Sequence, residues 1–149
     1  MPKRAGRKKP REPTRQPGSG RHPTQPLSAR GQRALNRVRK ICLALPETTE
    51  KEAWGAPTFR VRDKLFCHFR DNHHGDGRIA LWCKSTHDEQ DLLVESQPSV
   101  FFIPAYVGPS GWVGIDLDSP DWALASEILT NAYRMNASKR QIELLDKGR

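Results

Sequence analysis

The hydrophobic residues of this 149-residue chain lie almost entirely after position 26. Residues 1–26 contain eight basic residues, a single acid (Glu12) and half of the prolines of the whole chain, and their only hydrophobic residues are Met1 and Ala5. Such a segment cannot bury enough apolar surface to offset the entropy that ordering would cost. We therefore predict a disordered, basic, proline-rich tail over residues 1–26, followed by one domain over residues 27–149 that is long enough to enclose a hydrophobic core.

Most of the net positive charge belongs to this tail. The chain has 25 Lys and Arg residues against 17 Asp and Glu residues, a formal net charge of +8, whereas residues 27–149 contain 17 basic and 16 acidic residues. Runs of basic residues bind phosphate backbones without sequence preference, so we expect the tail to contact DNA or another polyanion. A solubilising role and an upstream extension from a misplaced start codon are the alternatives. The tail residues predicted to make this contact are Lys3, Arg4, Arg7, Lys8, Lys9, Arg11 and Arg15.

The hydropathy and the cysteine content argue against membrane and secreted proteins. No stretch approaches the roughly 20 apolar residues that cross a bilayer, and no apolar segment follows the N-terminal charges as it would in a secretory signal. The three cysteines, Cys42, Cys67 and Cys83, are odd in number and match no disulfide scaffold. We therefore expect a cytoplasmic protein with no membrane partner.

Four helices are predicted from capping residues and apolar spacing. In the first, Leu35, Val38 and Cys42 recur at helical intervals, and Pro46 lies just past its end. In the third, the buried stripe is predicted to run to Met135. The predicted helices, with their caps, are 28–45 with Ser28, 86–96 with Thr86 and Glu89, 119–135 with Ser119 followed by Pro120, and 138–146 with Ser138.

Five strands are predicted from alternation, at residues 58–61, 65–70, 78–84, 100–103 and 112–117, with residues 46–57 as a loop. Cross-strand partners must share a face of the sheet. A three-residue loop over 62–64 then pairs Val61 with Leu65 and Phe59 with Cys67, and the loop over 71–77 pairs Phe69 with Ile79. Short hairpins join antiparallel strands, so the predicted class is α+β: two layers, with helices on one face of an antiparallel sheet, in the order helix, three strands, helix, two strands, two helices.

The face of the sheet that the helices leave uncovered combines cations with flat rings. By alternation it holds Arg60, Phe66, His68, Arg70, Arg78, Trp82 and Lys84, together with Trp112. Cations bind phosphates and rings stack on unpaired bases, so the pattern is compatible with nucleic acid. Ordinary polar positions facing solvent, with tryptophans covering a half-exposed sheet, are the alternative. The residues predicted to bind nucleic acid here are Arg60, Arg70, Arg78, Trp82, Lys84 and Trp112.

No motif argues for catalysis. Cys67 and Cys83 fall on the predicted core face, where thiols are usually small hydrophobic groups. His73 and His74 lie at a hairpin tip, where adjacent side chains rarely converge on a metal. The sequence contains no nucleophile elbow and no phosphate-cradling glycine loop. We therefore predict no catalytic residue, no metal ligand and no cofactor.

Short motifs follow one another in a distinctive order along residues 33–146. They are residues 42–47 (CLALPE), 54–61 (WGAPTFRV), 64–66 (KLF), 81–84 (LWCK), 106–113 (YVGPSGWV), 121–122 (DW) and 132–134 (AYR). This series resembles the MmcQ/YjbR family of small bacterial proteins. The residues that match the family pattern are Trp54, Gly55, Pro57, Phe59, Lys84, Tyr106, Gly111, Trp112 and Tyr133.

The resemblance implies a two-layer α+β fold, similar to those of frataxin-like proteins and type III secretion chaperones, and DNA binding of the double-wing kind. Many family members carry a His/Asn/Lys-rich stretch just before the equivalent of Trp112, whereas residues 108–111 here contain no cation. The leading hypothesis is a non-enzymatic DNA-binding protein with phosphate-dominated contacts and weak sequence specificity. A chaperone-like protein-interaction module that uses the open sheet face and residues 100–103, and a small-ligand domain with a pocket between Trp54, Tyr106 and Trp112, are the alternatives.

Overall fold

A computed structural model of the chain describes residues 27–148. The tail predicted over residues 1–26 lies outside this range. Four α-helices and six strands are present in the described part. In chain order they are α1 (Ala29–Cys42), β1 (Thr49–Ala53), β2 (Ala56–Val61), β3 (Lys64–Asp71), β4 (Ile79–Cys83), α2 (His87–Ser96), β5 (Phe101–Phe102), β6 (Val113–Asp116), α3 (Trp122–Asn136) and α4 (Lys139–Lys147).

All strand pairs are antiparallel, and the strand order is β1-β2-β3-β4-β6-β5. Helix α3 packs against β2, β3 and β4, and α1 packs against α3, so these helices cover one face of the sheet. The core between them contains Phe59, Cys67, Leu81 and Leu129, which are fully buried. The α+β class with helices on one face is therefore confirmed. Four strands rather than three precede α2.

Three predicted helix caps are confirmed, and one is wrong. The Ser28 Oγ accepts from the Gly31 amide at 2.9 Å, the Thr86 Oγ1 accepts from Glu89, and Ser138 forms a capping box with Gln141. Ser119 does not cap α3. Asp121 does so instead, because its Oδ1 accepts from two free amides, those of Ala123 at 3.0 Å and Leu124 at 3.2 Å.

The prediction of a loop over residues 46–57 is wrong, because β1 lies within it. This strand pairs with β2 through a two-residue turn at Trp54 and Gly55, whose φ angles are 53° and 79°. Two positive φ angles match the twist of a hairpin. Ala53 is the only buried residue of β1, so no apolar alternation marks this edge strand in the sequence.

The predicted three-residue turn between β2 and β3 is also wrong, although the Phe59–Cys67 pairing is confirmed. Arg62 and Asp63 form a two-residue turn with φ angles of 55° and 62°, and Val61 pairs with Lys64 rather than Leu65. The predicted Phe59–Cys67 pairing is nevertheless reached, because β3 contains one extra residue. This residue, Phe66, forms a bulge opposite the step from Phe59 to Arg60. Phe66 thereby joins the core and meets the Tyr133 ring edge-on at 5.9 Å.

The β3–β4 hairpin is shifted from the predicted register, because its connection covers residues 72–78 rather than 71–77. Asp71 pairs with Ile79 and Phe69 with Leu81, so the predicted Phe69–Ile79 pairing is wrong by two residues. An even shift leaves every side chain on its predicted face.

In α3, Met135 is 44% exposed, contrary to its predicted place in the buried stripe. Tyr133 is buried instead, and its hydroxyl donates to the Pro46 carbonyl at 2.9 Å.

The three cysteines are free and fully buried. Cys67 and Cys83 are direct cross-strand partners on the core face, and burial raises the pKa of the Cys67 thiol. They act as small hydrophobic groups in the core. No helix within residues 27–148 is long and apolar enough to cross a membrane.

Candidate nucleic-acid interface

Two hairpin tips project from the same end of the sheet. One is the β1–β2 turn at Trp54 and Gly55, and the other is the β3–β4 connection over residues 72–78; the β2–β3 turn lies at the opposite end. The second tip is ordered by its own hydrogen bonds, since the Asn72 amide donates to the Arg78 carbonyl and the Gly77 amide to the Asn72 Oδ1. The β1–β2 turn and the β3–β4 connection therefore lie at the same end of the sheet.

Cations cluster on the face of the sheet away from α1 and α3, which we call the outer face. Arg60 donates to the Thr58 Oγ1 at 3.2 Å, and the Arg78 guanidinium lies 4.0 Å from the Phe102 ring centroid. Arg70 lies between them on β3. None of these three arginines forms an ion pair with a carboxylate among residues 27–148. Lys51 of β1 shares this face, since it pairs with Thr58.

Arg70 is the most enclosed of these cations. Its Nη1 lies 2.9 Å from the His68 Nε2, and its guanidinium lies 5.2 Å from the Trp82 ring centroid. Burial lowers the pKa of Arg70 to about 10, while the nearby Tyr106 and Asp76 act in the opposite direction. The side chain remains positive at neutral pH. It therefore places a partly desolvated positive charge on the outer face.

His68 is held neutral beneath this arginine. Burial lowers the pKa of His68 well below 6.5, and the positive charge of Arg70 adds to the effect. Guanidinium nitrogens only donate, so the His68 Nε2 accepts from Arg70. A backbone hydrogen bond with Ala53 engages His68 as well. The imidazole therefore positions Arg70 without adding charge.

His73, His74 and Tyr106 contact one another next to Trp82 and Arg70. His73 meets the Trp82 ring edge-on at 4.9 Å and Tyr106 at 5.9 Å, and the His74 Nε2 lies 3.1 Å from the Tyr106 hydroxyl. Burial, followed by the charge of Arg70, lowers the pKa of His73 to about 4. Tyr106 itself is 59% exposed. The cluster thus joins the β3–β4 tip to the segment after β5.

The predicted stacking surface is not open. Trp82 is 5% exposed and Trp112 is 9% exposed, so neither presents a free ring face. His68, Arg70 and His73 cover Trp82, and these contacts join distant parts of the sequence.

Phe66 and Lys84 also depart from the predicted face. Phe66 is in the core because of the bulge in β3. The Lys84 Nζ donates to the Asn136 Oδ1 at 2.7 Å, so this ammonium is engaged at the end of α3. The predicted role of Lys84 in binding nucleic acid stays a prediction.

Most of the residues that match the family pattern have structural roles. Trp54 and Gly55 form the β1–β2 turn, Pro57 lies in β2, and Tyr133 is in the core. Gly111 has φ 96°, and a Cβ there would lie 3.0 Å from the His87 amide nitrogen. Tyr106 is the exception, because it contacts the histidines of the hairpin tip.

A cleft of about 510 Å³ opens between the two hairpin tips and α1, which contributes Gln32, Leu35 and Arg39 to its lining. Its lining includes Trp54, Arg70 and His73, but neither Tyr106 nor Trp112, so it is not the predicted pocket between Trp54, Tyr106 and Trp112. The sequence predicts a loop over residues 46–57. This prediction therefore misses Lys51 and the part of β1 that lies beside the cleft. Within residues 27–148, no three His, Cys, Asp or Glu side chains are grouped to hold a metal ion.

These elements define a small α+β protein with an open antiparallel sheet, one face covered by helices, and paired hairpin tips beside a cationic cluster. Residues 43–135 match the YjbR family model, and the chain belongs to the YjbR family. A solved structure with a similar fold is that of the Deinococcus radiodurans protein DR2400, a DUF419 domain, with 18% sequence identity, a TM-score of 0.61, and coverage of 75% of this chain and 87% of the other. A comparison with curated proteins returned no match.

The two enclosed histidines predict a pH-dependent stability. Both pKa values are lowered in the folded state, so the unfolded chain binds more protons and the free energy of unfolding falls as the pH drops below about 6.5. We expect urea denaturation to show this loss between about pH 7 and pH 5, where most carboxyl groups stay ionised. His73→Asn should reduce the loss, and His87→Asn, outside the cluster, should not. A stability that is constant over this interval would contradict the assignment.

Proposed function

We propose that this YjbR protein is a non-enzymatic DNA-binding protein whose contacts are made mainly to backbone phosphates. The observation that carries the proposal is the set of arginines on the outer face, Arg60, Arg70 and Arg78, none of which has a carboxylate ion-pair partner among the described residues. Cations without acidic partners are available to phosphates. The basic residues of the N-terminal tail would add to this attraction.

The contacts would carry little sequence information. Phosphate contacts position a protein on DNA, whereas base contacts specify the sequence. Trp82 and Trp112 are too buried to stack on bases, so the proposal assigns them no contact with DNA. Tyr106, which is 59% exposed, is more accessible than either tryptophan. Weak specificity and strong salt dependence are the expected behaviour.

The test compares two pairs of charge-neutralising substitutions in the full chain. Arg60→Gln with Arg78→Gln removes two cations from the outer face, and Lys139→Gln with Lys147→Gln removes two from α4. Fluorescence anisotropy with labelled duplex DNA at several salt concentrations gives the affinity and its salt slope. The outer-face pair should weaken binding to all sequences and reduce the slope by about 2, whereas the α4 pair should change little.

Equal effects of the two pairs would mean that only net charge matters, and would refute an interface on the outer face. Circular dichroism of each variant verifies that both remain folded. A single-stranded DNA of the same length, titrated in parallel, shows which form of DNA the face prefers.

A protein-interaction role is the second candidate, favoured by one observation. Ile103, next to the edge strand β5, is 58% exposed, and Leu92 on α2 is 63% exposed. Exposed apolar side chains beside a sheet edge are compatible with a protein partner. Such binding would be insensitive to salt and would weaken on Ile103→Asp, which distinguishes it from phosphate binding.

A further inference from the structure

The cleft between the hairpin tips has two sides of different character. Three carboxylates, Glu50, Glu52 and Asp71, line the side nearer α1, and each of them has an interaction partner. Glu50 accepts hydrogen bonds from the Arg39 guanidinium at 2.8 to 3.1 Å, and Asp71 accepts from the Ser28 amide and hydroxyl at 3.3 Å. Arg70, Trp54 and His73 line the outer-face side. Of the two arginines that line the cleft, Arg39 is paired with Glu50, so an anionic ligand would meet its positive partner at Arg70.

Arg70 has hydrogen-bonding capacity that the described residues leave unused. A guanidinium carries five N–H donors. One nitrogen, Nη1, is bonded to His68, and the Trp82 ring occupies one face of the group. No carboxylate of residues 27–148 lies within ion-pair distance. A partly buried cation in this state is suited to an oxyanion that accepts two parallel hydrogen bonds.

The charge at this point favours a monoanion. The other arginine of the lining, Arg39, is bound to Glu50 at 2.8 Å, so Arg70 supplies one positive charge that no carboxylate of residues 27–148 pairs with. A carboxylate carries one negative charge and matches the planar guanidinium, whereas a phosphate monoester carries nearly two at neutral pH. Trp54 and His73, which carry flat rings, line the cleft together with Arg70. Flat walls suit a ligand with an aromatic body.

We propose that this cleft binds a small aromatic monocarboxylate, with its carboxylate on the Arg70 guanidinium and its ring between Trp54 and His73. The volume of about 510 Å³ lies within the range of small-molecule sites. Arg70 also belongs to the outer face of the proposed DNA interface, but the two proposals are tested separately, because the DNA test changes Arg60 and Arg78 and the ligand test changes Arg70.

The test uses benzoate as the probe and the full chain labelled for NMR. Titration with benzoate should shift the indole N–H signals of Trp54 and Trp82 saturably. Benzamide, which has the same shape without the charge, should bind at least tenfold more weakly. Arg70→Gln should weaken benzoate binding at least tenfold, Arg70→Lys should retain part of it, and Lys139→Gln, which removes one charge from α4, should leave it unchanged.

The proposal would be overturned by the absence of a saturable shift with benzoate, by equal binding of benzamide, or by equal benzoate binding by wild type and a folded Arg70→Gln variant. The comparison of benzoate with benzamide uses only the wild-type chain, so it decides the question even if Arg70→Gln fails to fold. Inorganic phosphate forms a further arm. Stronger displacement by phosphate than by acetate would refute the monocarboxylate class.

Discussion

Trp82→Ala is expected to lower the free energy of unfolding by about 3–5 kcal/mol, as large-to-small changes at buried aromatic positions do. The ring is 5% exposed, and its loss removes packing against His68, His73 and the Arg70 guanidinium. Urea denaturation followed by far-UV circular dichroism measures the loss. Trp82→Phe should cost less, because it keeps an apolar ring in the same place.

The matched control for this substitution is Leu92→Ala, at a position that is 63% exposed, where the change should stay within about 0.5 kcal/mol. DNA affinity distinguishes a structural ring from a stacking ring. Under conditions in which Trp82→Ala is still folded, its affinity for DNA should remain close to that of the wild type. A variant as stable as the wild type but with much weaker DNA binding would restore the stacking role that the sequence suggested.

Local signals in the sequence were sufficient for the class and the layers of this fold. Ser28, Thr86 and Ser138 cap helices as their positions suggested, because an N-cap is decided by a few adjacent residues. Alternation also placed Arg60 and Arg70 on the outer face. The two-residue error at Ile79 changed no face, because strand side chains alternate with a period of two.

The errors arose where the decisive interaction is distant or irregular. Strand β1 has almost no buried side chain, and its pairing with β2 depends on positive φ angles at Trp54 and Gly55. The bulge at Phe66 is a local insertion that strict alternation cannot represent. Each of these features shifts a register or adds a strand without changing the fold class.

The candidate site was harder to predict than the fold, because its burial depends on long-range contacts. Trp82 has a strand position that alternation assigns to solvent. It is covered because the 72–78 connection folds back over it with His73, which in turn meets Tyr106 from the segment after β5. No periodic pattern in the sequence contains that contact. The same enclosure changes Arg70 from an ordinary surface cation into the centre of the proposed ligand site.

Replacement of the tail residues Lys3, Arg4, Arg7, Lys8, Lys9, Arg11 and Arg15 by Gln is expected to cause the largest loss of DNA affinity. Each phosphate contact contributes about 0.9 to the slope of log K against log salt, so the loss of most of these contacts should reduce the slope by roughly 4–6. Anisotropy titrations of wild type and variant across a salt series measure both quantities. The chain length is unchanged, so the difference reports charge.

The residual binding of this variant decides how the tail and the domain share the proposed function. If the outer face also binds phosphates, the tail variant should retain weak affinity that Arg60→Gln with Arg78→Gln removes. Complete loss of binding would assign DNA contact to the tail alone, since the described residues 27–148 are nearly balanced in charge and would then hold no phosphate site of their own. A salt slope unchanged by the seven substitutions would refute the role of the tail, because counterion release cannot persist without the cations that cause it.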